Sequence, residues 1–416
     1  MTILSGAIWG IAGLSTAGVI VRPMGLPEWI WAVAGAVLLV VLGLIPVGMA
    51  GAAVMKGLDV YLFLLGMMLL SETARMHGVF DWLAGWSVVH ARGSAARLFT
   101  LIYIAGVVVT IFLSNDATAV VLTPAVFAVA RKAKVDPLPM LLTCAMVANA
   151  ASFVLPISNP ANLVLYGGHT PPLGAWLRSF ALPSIGAIAV TYLALRFMMS
   201  TRLTCGCAAA EERVVLDAGG RVALGGILGT ALLLLIVSAL DTPLGLPTAI
   251  AGAVTALGVS ALRRRSPWPL WTGVAWGVLP LVAGLFVLVE ALDRIGAFAL
   301  VVSALERAAR EPLSGGLVSG TILAFGSNLI NNLPAGLIAS TSIARAHPPQ
   351  AIVDALLIGV DLGPNLSVTG SLATILWLQV IHREGEHIGF WQFAKVGAGA
   401  MPLALAFSLL SRLMSI

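Results

Sequence analysis

Two aspartates lie beside helix-breaking residues in otherwise apolar parts of the sequence. Asp361 opens the stretch 361–378, DLGPNLSVTGSLATILWL, and Asp116 follows Ser114 and Asn115 between two apolar arms. Ionisable side chains at membrane depth face a bundle interior or a water-filled cavity, and they mark ion or substrate pathways. Burial favours the protonated form of a carboxyl group. We therefore predict that Asp116 and Asp361 couple transport to protons. The alternatives are that Asp116 caps a helix and that Asp361 is a structural hydrogen-bond partner.

Amide and hydroxyl side chains accompany these acids at two polar tips and at two interrupted helices, Pro156–Asn162 and Gly363–Ser371. Such side chains both donate and accept hydrogen bonds, and half-helix ends present unpaired N–H and C=O groups. The pocket suits a small neutral hydroxylated solute, a small anion or a dehydrated cation, and each Asn could equally cap a helix. The predicted substrate-binding residues are Ser114, Asn115, Asn159, Asn162, Asn331, Asn332, Thr369 and Ser371.

The composition is that of a polytopic membrane protein. Of 416 residues, 59% are hydrophobic and 10% are charged, whereas soluble domains carry about 25% charged residues. The first residues lack the basic region of a cleavable signal peptide. The net charge of +5 indicates basic cytoplasmic loops rather than nucleic-acid binding. The three cysteines (Cys144, Cys205 and Cys207) are too few for a disulfide framework. The histidines show no metal-ligand spacing and no GxxxxGK(S/T) phosphate loop occurs, so we predict neither a metal site nor a cofactor.

Four apolar segments are too short for a comfortable crossing, because a full span needs about 20 residues. They form two pairs, 98–113 with 117–130 and 315–329 with 333–344, each with a polar tip between its arms. Such pairs are typical of re-entrant hairpins, here at about 98–130 and about 315–344. Counting each hairpin as zero crossings leaves ten membrane spans.

The loop charges predict an orientation. When the loops are assigned alternately to two sides, most of the 23 Lys and Arg residues fall on one side. The positive-inside rule makes that side cytoplasmic. Both termini then lie outside the cytoplasm in a multi-pass protein of the inner (plasma) membrane. The first hairpin enters from the cytoplasm, and the second enters from outside.

The two halves of the chain share landmarks in the same order. Five crossings in each half, an odd number, make the second half inverted. Inverted repeats with broken helices near the midplane are found in many secondary transporters. The predicted parts are an N-terminal repeat (1–199), a cytoplasmic linker (200–220) and a C-terminal inverted repeat (221–416). The shared landmarks are Glu72-x-x-Arg75-x-x-Gly78-x-Phe80 with Glu290-x-x-Asp293-x-x-Gly296-x-Phe298, Asn115-Asp116 with Asn331-Asn332, and 158–163 with 370–375.

The repeat also pairs each acid with a neutral amide, because Asn332 matches Asp116 and Asn149 matches Asp361. Two further acids, Glu72 and Glu290, lie near the ends of helices that precede the hairpins. We expect them to form ion pairs with Arg75 or Arg294 rather than to bind substrate.

Three stretches, FLSNDATAVVLTPAV, INNLP and DLGPNLSVTGSLATILWL, resemble the arsenite efflux permeases of the ArsB family. That family belongs to the ion transporter superfamily. The resemblance implies export of trivalent arsenite and antimonite as the neutral hydroxide in exchange for protons, in some members with an associated cytoplasmic arsenite-stimulated ATPase. The family often has an acid where this chain has Asn149, so its proton stoichiometry does not carry over. The resemblance places the site at Asn115, Asp116, Asn159, Asn332, Asp361 and Ser371.

Three competing functions are open at this point. The first is a sodium/proton antiporter of the same superfamily, whose carboxylates would coordinate sodium. The second is a dicarboxylate carrier, although neither hairpin tip has a basic residue to bind an anion. The third is an intramembrane hydrolase with an aspartyl dyad, which the repeat disfavours because amides occupy the matching positions. The expected partners are arsenite or antimonite, protons, the lipid bilayer and an ATPase subunit, with no nucleic acid.

Overall fold

A computed structural model of the chain describes residues 3–168, 170–204, 206–207, 215–264 and 266–415. Over these ranges the regular elements are helices, and a single β-bridge joins Ser94 to Gly206. The predicted all-α fold is therefore confirmed. Part of the linker predicted at 200–220 and the Cys205 thiol lie outside the described residues.

The first half of the chain has five α-helices before the arm that leads to the first polar tip. The helices are α1 (Ile3–Val21), α2 (Glu28–Val41), α3 (Val47–Lys56), α4 (Leu58–Met76), α5 (Val79–Ala91), α6 (Ala95–Phe112), α7 (Thr123–Lys132), α8 (Pro137–Ala150), α9 (Pro160–Leu165) and α10 (Leu173–Met198). A π-helical segment, Ala117–Leu122, lies between the hairpin arms α6 and α7, and a 3-10 turn, Pro156–Ser158, separates α8 from α9.

The second half repeats this order. Two 3-10 turns, Gly363–Asn365 and Val368–Gly370, take the place of the single turn in the first half. The helices are α11 (Ala218–Ala239), α12 (Gly245–Leu262), α13 (Trp268–Gly273), α14 (Val278–Arg294), α15 (Ala299–Ala308), α16 (Pro312–Ile330), α17 (Asn332–Ala346), α18 (Gln350–Leu362), α19 (Leu372–Arg383) and α20 (Phe390–Leu413).

The packing between the halves is reciprocal, as an approximate twofold relation requires. Helix α4 packs on α12 and on α13, and its counterpart α14 packs on α2 and on α3. Two glycines at equivalent positions allow these approaches. A side chain on Gly66 would collide with the backbone of Thr248, and one on Gly284 would collide with the backbone of Ala32. Small residues at such crossings let membrane helices come close.

The two broken helices form the centre of the molecule. Every residue of α8 from Pro139 to Ala150 is buried, and so is every residue of α18 from Ala351 to Leu362. Burial on every side means that both helices are surrounded by other parts of the protein, including around their polar residues Asn149, Asp354 and Asp361. These helices therefore bring the interruptions at Pro156–Ser158 and Gly363–Gly370 into the protein interior.

Seven of the described helices are long and apolar enough to cross a membrane, or eight if the bent pair of α3 and α4 counts as one span. The two halves of that pair meet at an angle of 49°. The hairpin arms are longer than the sequence suggested, because Ser94 caps α6 and Pro312 opens α16. These arms have 18 and 19 residues, so the prediction that they are too short to cross the membrane was wrong. The evidence that remains for the predicted hairpins is their polar tips and the short second arm α7.

Candidate functional site

The first break is held open by one buried amide. Helix α8 ends at Ala150, which leaves the backbone carbonyls after it without helical partners. Asn162 Nδ2 donates to the carbonyl oxygens of Ser152 at 2.9 Å, Pro156 at 3.3 Å and Leu155 at 3.4 Å. Since an unpaired carbonyl in the membrane interior costs several kcal/mol, Asn162 stabilises the break itself.

The second break is tied to the end of α16 by a polar network. Asn328 Nδ2 donates to the Gly363 carbonyl at 2.9 Å, and Thr369 Oγ1 donates to the Asn328 carbonyl at 2.9 Å. Asn331 then adopts a positive φ of 74° and donates from Nδ2 to the Thr369 carbonyl at 3.3 Å. Asn328 was missed by the sequence analysis. Its only signal is an amide side chain inside an apolar arm.

Buried side-chain hydrogen bonds join the two broken helices directly. Asn159 Nδ2 donates to Asp361 Oδ1 at 2.8 Å. Asn149 Nδ2 donates to Asn365 Oδ1 at 3.0 Å, and Asn365 Nδ2 donates to the Met146 carbonyl at 3.0 Å. Each of the four side chains is buried, and Asp361 Oδ2 has no hydrogen-bond partner within the described part of the chain. One carboxylate oxygen of Asp361 is therefore available inside the protein.

A small inner cavity lies where the tips and the breaks meet. Its volume is about 10 Å³, close to the space that one water needs. The buried Ser371 hydroxyl has no hydrogen-bond partner among the described residues. Asn159 also caps α9 by accepting from the Ala161 N–H at 3.0 Å. The polar side chains that line this cavity are Asn115, Asp116, Asn159, Asn332 and Ser371.

A larger cavity of about 210 Å³ adjoins the inner one. Asp116 lines both cavities, so it stands at the junction between them. The larger cavity is mostly apolar, and Ser114 contributes to its wall. Glu72 and Arg75 also line it, and Arg75 is about half exposed. The larger cavity therefore borders both Asp116 and a side chain that reaches the protein surface.

The acids that precede the hairpins pair differently in the two halves. Arg75 donates to Glu72 with Nε at 2.7 Å and with Nη2 at 2.6 Å, as expected. The expected pairing of Glu290 with Arg294 is wrong. Glu290 Oε2 instead accepts from Lys56 Nζ at 2.7 Å, because α3 packs across α14 and its last residue reaches this position.

Some of the predicted site residues line a cavity, others hydrogen-bond to the backbone instead, and Asp361 does neither. Asn162, Asn331 and Thr369 line neither cavity and hydrogen-bond to backbone atoms of the breaks or tip. Asp361 lines neither cavity but contacts Asn159, which does. Over the described residues, no three His, Cys, Asp or Glu side chains are close enough to hold a metal ion. The predicted residues that line a cavity are Ser114, Asn115, Asp116, Asn159, Asn332 and Ser371.

Comparison with known proteins identifies the family. Residues 15–360 match the model of the CitMHS family, which is described as a citrate transporter family. The chain belongs to the CitMHS family. This CitMHS member is therefore a membrane transporter rather than an enzyme, and its apolar helices make it a multi-pass membrane protein.

Individual relatives extend the match. The arsenical pump membrane protein of Escherichia coli is 28% identical over 99% of this chain and 98% of its own length. An uncharacterized transporter of Mycobacterium tuberculosis is 26% identical over 84% of each chain. The resemblance to arsenite permeases that the sequence indicated is confirmed.

A solved structure shares the fold. The crystal structure of the YdaH transporter of Alcanivorax borkumensis, described as having an unusual topology, superposes with a TM-score of 0.57. It is 16% identical and covers 88% of this chain and 86% of that one. At this identity the likeness supports the transporter fold, and it carries no information about the substrate.

Proposed function

We propose that this protein exports trivalent arsenite and antimonite, as the neutral hydroxide, in exchange for protons. The observation that carries the proposal is the lining of the inner cavity. Three amides, a hydroxyl and one carboxylate line it, and among the described residues no Lys, Arg or His belongs to its lining. Each hydroxyl group of a neutral hydroxide is both a donor and an acceptor, which matches amide and hydroxyl side chains.

The comparisons support an arsenical substrate more strongly than they support citrate. The alignment with the arsenical pump membrane protein covers 99% of the chain, so it includes the second break. The match to the citrate transporter family ends at residue 360, immediately before Asp361. The region that contributes Asp361 and Ser371 thus lies beyond the match to the family model and within the alignment to the arsenical relative.

Protons would be carried by Asp116 and Asp361. Asp116 lies at the junction of the two cavities, and Asp361 holds one unpartnered oxygen in the interior. We further propose that the protein lies in the inner membrane with both termini outside the cytoplasm. Arg75 would then face the cytoplasm, from which an exporter takes its substrate. The exchange needs no nucleotide, and an ATPase subunit would be an additional partner.

The test is uptake into everted membrane vesicles under an imposed proton gradient and without ATP. We expect arsenite to accumulate, and we expect Asp116→Asn and Asp361→Asn to lose accumulation because an amide cannot release a proton. Asp136→Asn is a matched control, because this partly exposed aspartate lies at the start of α8 and far from both cavities along the chain. Vesicles that fail to accumulate arsenite, or Asn variants as active as the parent, would contradict the proposal. Accumulation that appears only with ATP and a second subunit would assign the energy source to an ATPase.

A citrate-like anion is the second candidate, because the family description names it. The first residues of α17 and α19 line the inner cavity, and helix N-termini favour anions. However, the only cation on either cavity wall within the described residues is Arg75, and Glu72 already neutralises it. The same vesicles distinguish the candidates: citrate flux without arsenite flux would favour the anion, and sodium flux without either would favour a sodium/proton antiporter.

A further inference from the structure

Four charged side chains form a cluster at the C-terminal end of α14. Lys56 Nζ donates to Glu290 Oε2 at 2.7 Å, and Arg345 Nη2 donates to Asp293 Oδ2 at 2.6 Å. These residues belong to α3, α14 and α17, so the cluster joins three elements. The opposite end of α17 begins at Asn332, which lines the inner cavity. The cluster therefore fastens the arm of the second hairpin to α14 and α3.

Helices α4 and α14 run antiparallel, so their C-terminal ends lie at opposite ends of the pair. Glu72, near the end of α4, is close enough to Gly273 that a side chain there would collide with it, and Val278 then begins α14. At the other end, Glu290 contacts Lys56, two residues before α4 begins. The sequence repeat makes Glu72 the counterpart of Glu290 at these opposite ends.

The repeat also reverses one charge, because Arg75 occupies the position of Asp293. Asp293 pairs with a base in the last turn of α17. The corresponding last turn of α7 is also basic, so Arg75 would meet like charges there. Arg75 instead binds Glu72 within its own helix. Within the described part of the chain, no ion pair joins α4 to α7 or to α13.

The two ends differ in how their charges relate to the cavities. At the α4 end, Glu72 and Arg75 line the cavity of about 210 Å³ that Asp116 also lines. An ion pair close to this end, Asp217 with Arg263, joins the flanks of α11 and α12 and holds neither α4 nor a hairpin arm. At the α14 end, the four cluster residues line neither this cavity nor the inner one, and their pairs tie α14 to α3 and to the hairpin arm α17.

We propose that the Lys56–Glu290 and Asp293–Arg345 pairs form a gate, which closes the site on the α14 side while it is open on the Arg75 side. The Asp293–Arg345 pair must separate when the hairpin arm moves away from α14, because the arm that carries Arg345 also carries Asn332. The Lys56–Glu290 pair holds α3 on the same end of α14. Lys56 and Arg345 are about half exposed or more, and exposed ion pairs are weak enough to break in each cycle. The inference rests on the protein being a transporter and is independent of its substrate.

A reporter cysteine at Val278, which lines both cavities, tests the gate. In a background with Cys144, Cys205 and Cys207 replaced by Ala, Val278→Cys is labelled with a membrane-impermeant cationic thiol reagent in right-side-out and everted vesicles. We expect the parent to be labelled mainly from one face. Arg345→Gln should raise the labelling rate from the other face about two- to fivefold, which is the population change that loss of one exposed ion pair produces.

The matched control is Arg202→Gln, which breaks an Arg–Asp pair of the same 2.6 Å length and similar exposure away from α14. It should leave both labelling rates unchanged. Exchange of the charges by Asp293→Arg with Arg345→Asp should return the rates to those of the parent. The gate is refuted if Arg345→Gln behaves like the control or if the exchange restores nothing. If Arg345→Gln misfolds, Val278→Cys in that variant should be labelled equally from both faces. In that case Lys56→Gln, which breaks the second pair, is judged by the same labelling criteria. Because labelling requires no arsenite, a failed gate and a failed arsenite assay are distinguishable.

Discussion

Two buried aspartates on the same helix should respond in opposite ways to the same substitution. Asp361 and Asp354 lie seven residues apart on α18, and both are fully buried. Asp354 Oδ2 accepts from Arg412 Nε at 2.7 Å, and its Oδ1 accepts from the Tyr166 hydroxyl at 3.0 Å. Asp361 accepts from the Asn159 amide at 2.8 Å, and its other side-chain neighbour is the Ser152 hydroxyl, so both of its partners are neutral. Asp354 is thus part of an ion pair, whereas Asp361 is not.

These contacts set the magnitudes for replacement of each Asp by Asn. In Asp361→Asn the oxygen of the new amide could still accept from Asn159 Nδ2, so this change should alter the free energy of unfolding by less than about 1.5 kcal/mol. Asp354→Asn leaves Arg412, which is 11% exposed, without its carboxylate. Removing one partner of a buried ion pair typically costs about 3–5 kcal/mol. The free energies of unfolding of the two variants should therefore differ by about 1.5 kcal/mol or more.

The assay combines thermal unfolding of the purified variants in detergent with arsenite accumulation in everted vesicles. Asp361→Asn should unfold close to the parent temperature and lose proton-driven accumulation. Asp354→Asn should unfold at a clearly lower temperature, with its remaining folded fraction still able to transport. If Asp361→Asn transports at the parent rate, Asp361 is a structural hydrogen-bond partner and the coupling argument fails. If Asp354→Asn unfolds like the parent, the buried ion pair does not stabilise the fold as argued.

Three further predictions concern residues that hold the breaks or the helix ends. Asn328→Ala removes donors to the Ala324 and Gly363 carbonyls, both at 2.9 Å. Because these carbonyls lose partly buried hydrogen bonds, the free energy of unfolding should fall by about 2–4 kcal/mol, which thermal unfolding measures. Asn162→Ala should likewise lower the unfolding temperature, whereas Asn332→Ala, on the cavity wall, should raise the KM for arsenite and leave that temperature nearly unchanged. Asp217 caps α11, and the Gly220 N–H bond, followed by the nearby Arg263 charge, lowers the pKa of this carboxyl. Folding lowers this pKa, so the ionised carboxylate stabilises the fold at pH values above its ordinary pKa of about 3.9. This stabilisation is lost as the pH falls through the pKa of the folded state, so amide exchange at the start of α11 should accelerate below about pH 4.

The sequence predicted the interrupted helices and polar tips well, because helix breakers within apolar spans leave few alternatives. It could not assign individual amides to binding or to structure. Asn159 and Asn162 lie three residues apart, yet Asn159 reaches across to Asp361 and Asn162 turns back to the Ser152 carbonyl. That difference depends on where α18 packs. No local pattern encodes the position of α18.

The ion pairs show the same limit. The pairing of Glu72 with Arg75 was predictable, since residues three apart on a helix are neighbours. The pairing of Glu290 with Lys56 was not, because it depends on α3 crossing α14. Neighbours in sequence are reliable partners only where no other element packs against them. The division into repeats 1–199 and 221–416 and the inversion of the second repeat across the membrane stay predictions.

The two proposed proton-coupling acids are not equivalent in this conformation. Asp116 borders both cavities, and the larger one also borders the half-exposed Arg75. Asp361 borders neither cavity, and its contact with the site is through Asn159. A proton that enters along the larger cavity therefore meets Asp116 first. In the proposed gate, access to Asp361 would come with movement of the hairpin arm that the Asp293–Arg345 pair holds at the far end of α17. Gate opening and proton exchange at Asp361 are thus expected to be coupled through one hairpin arm.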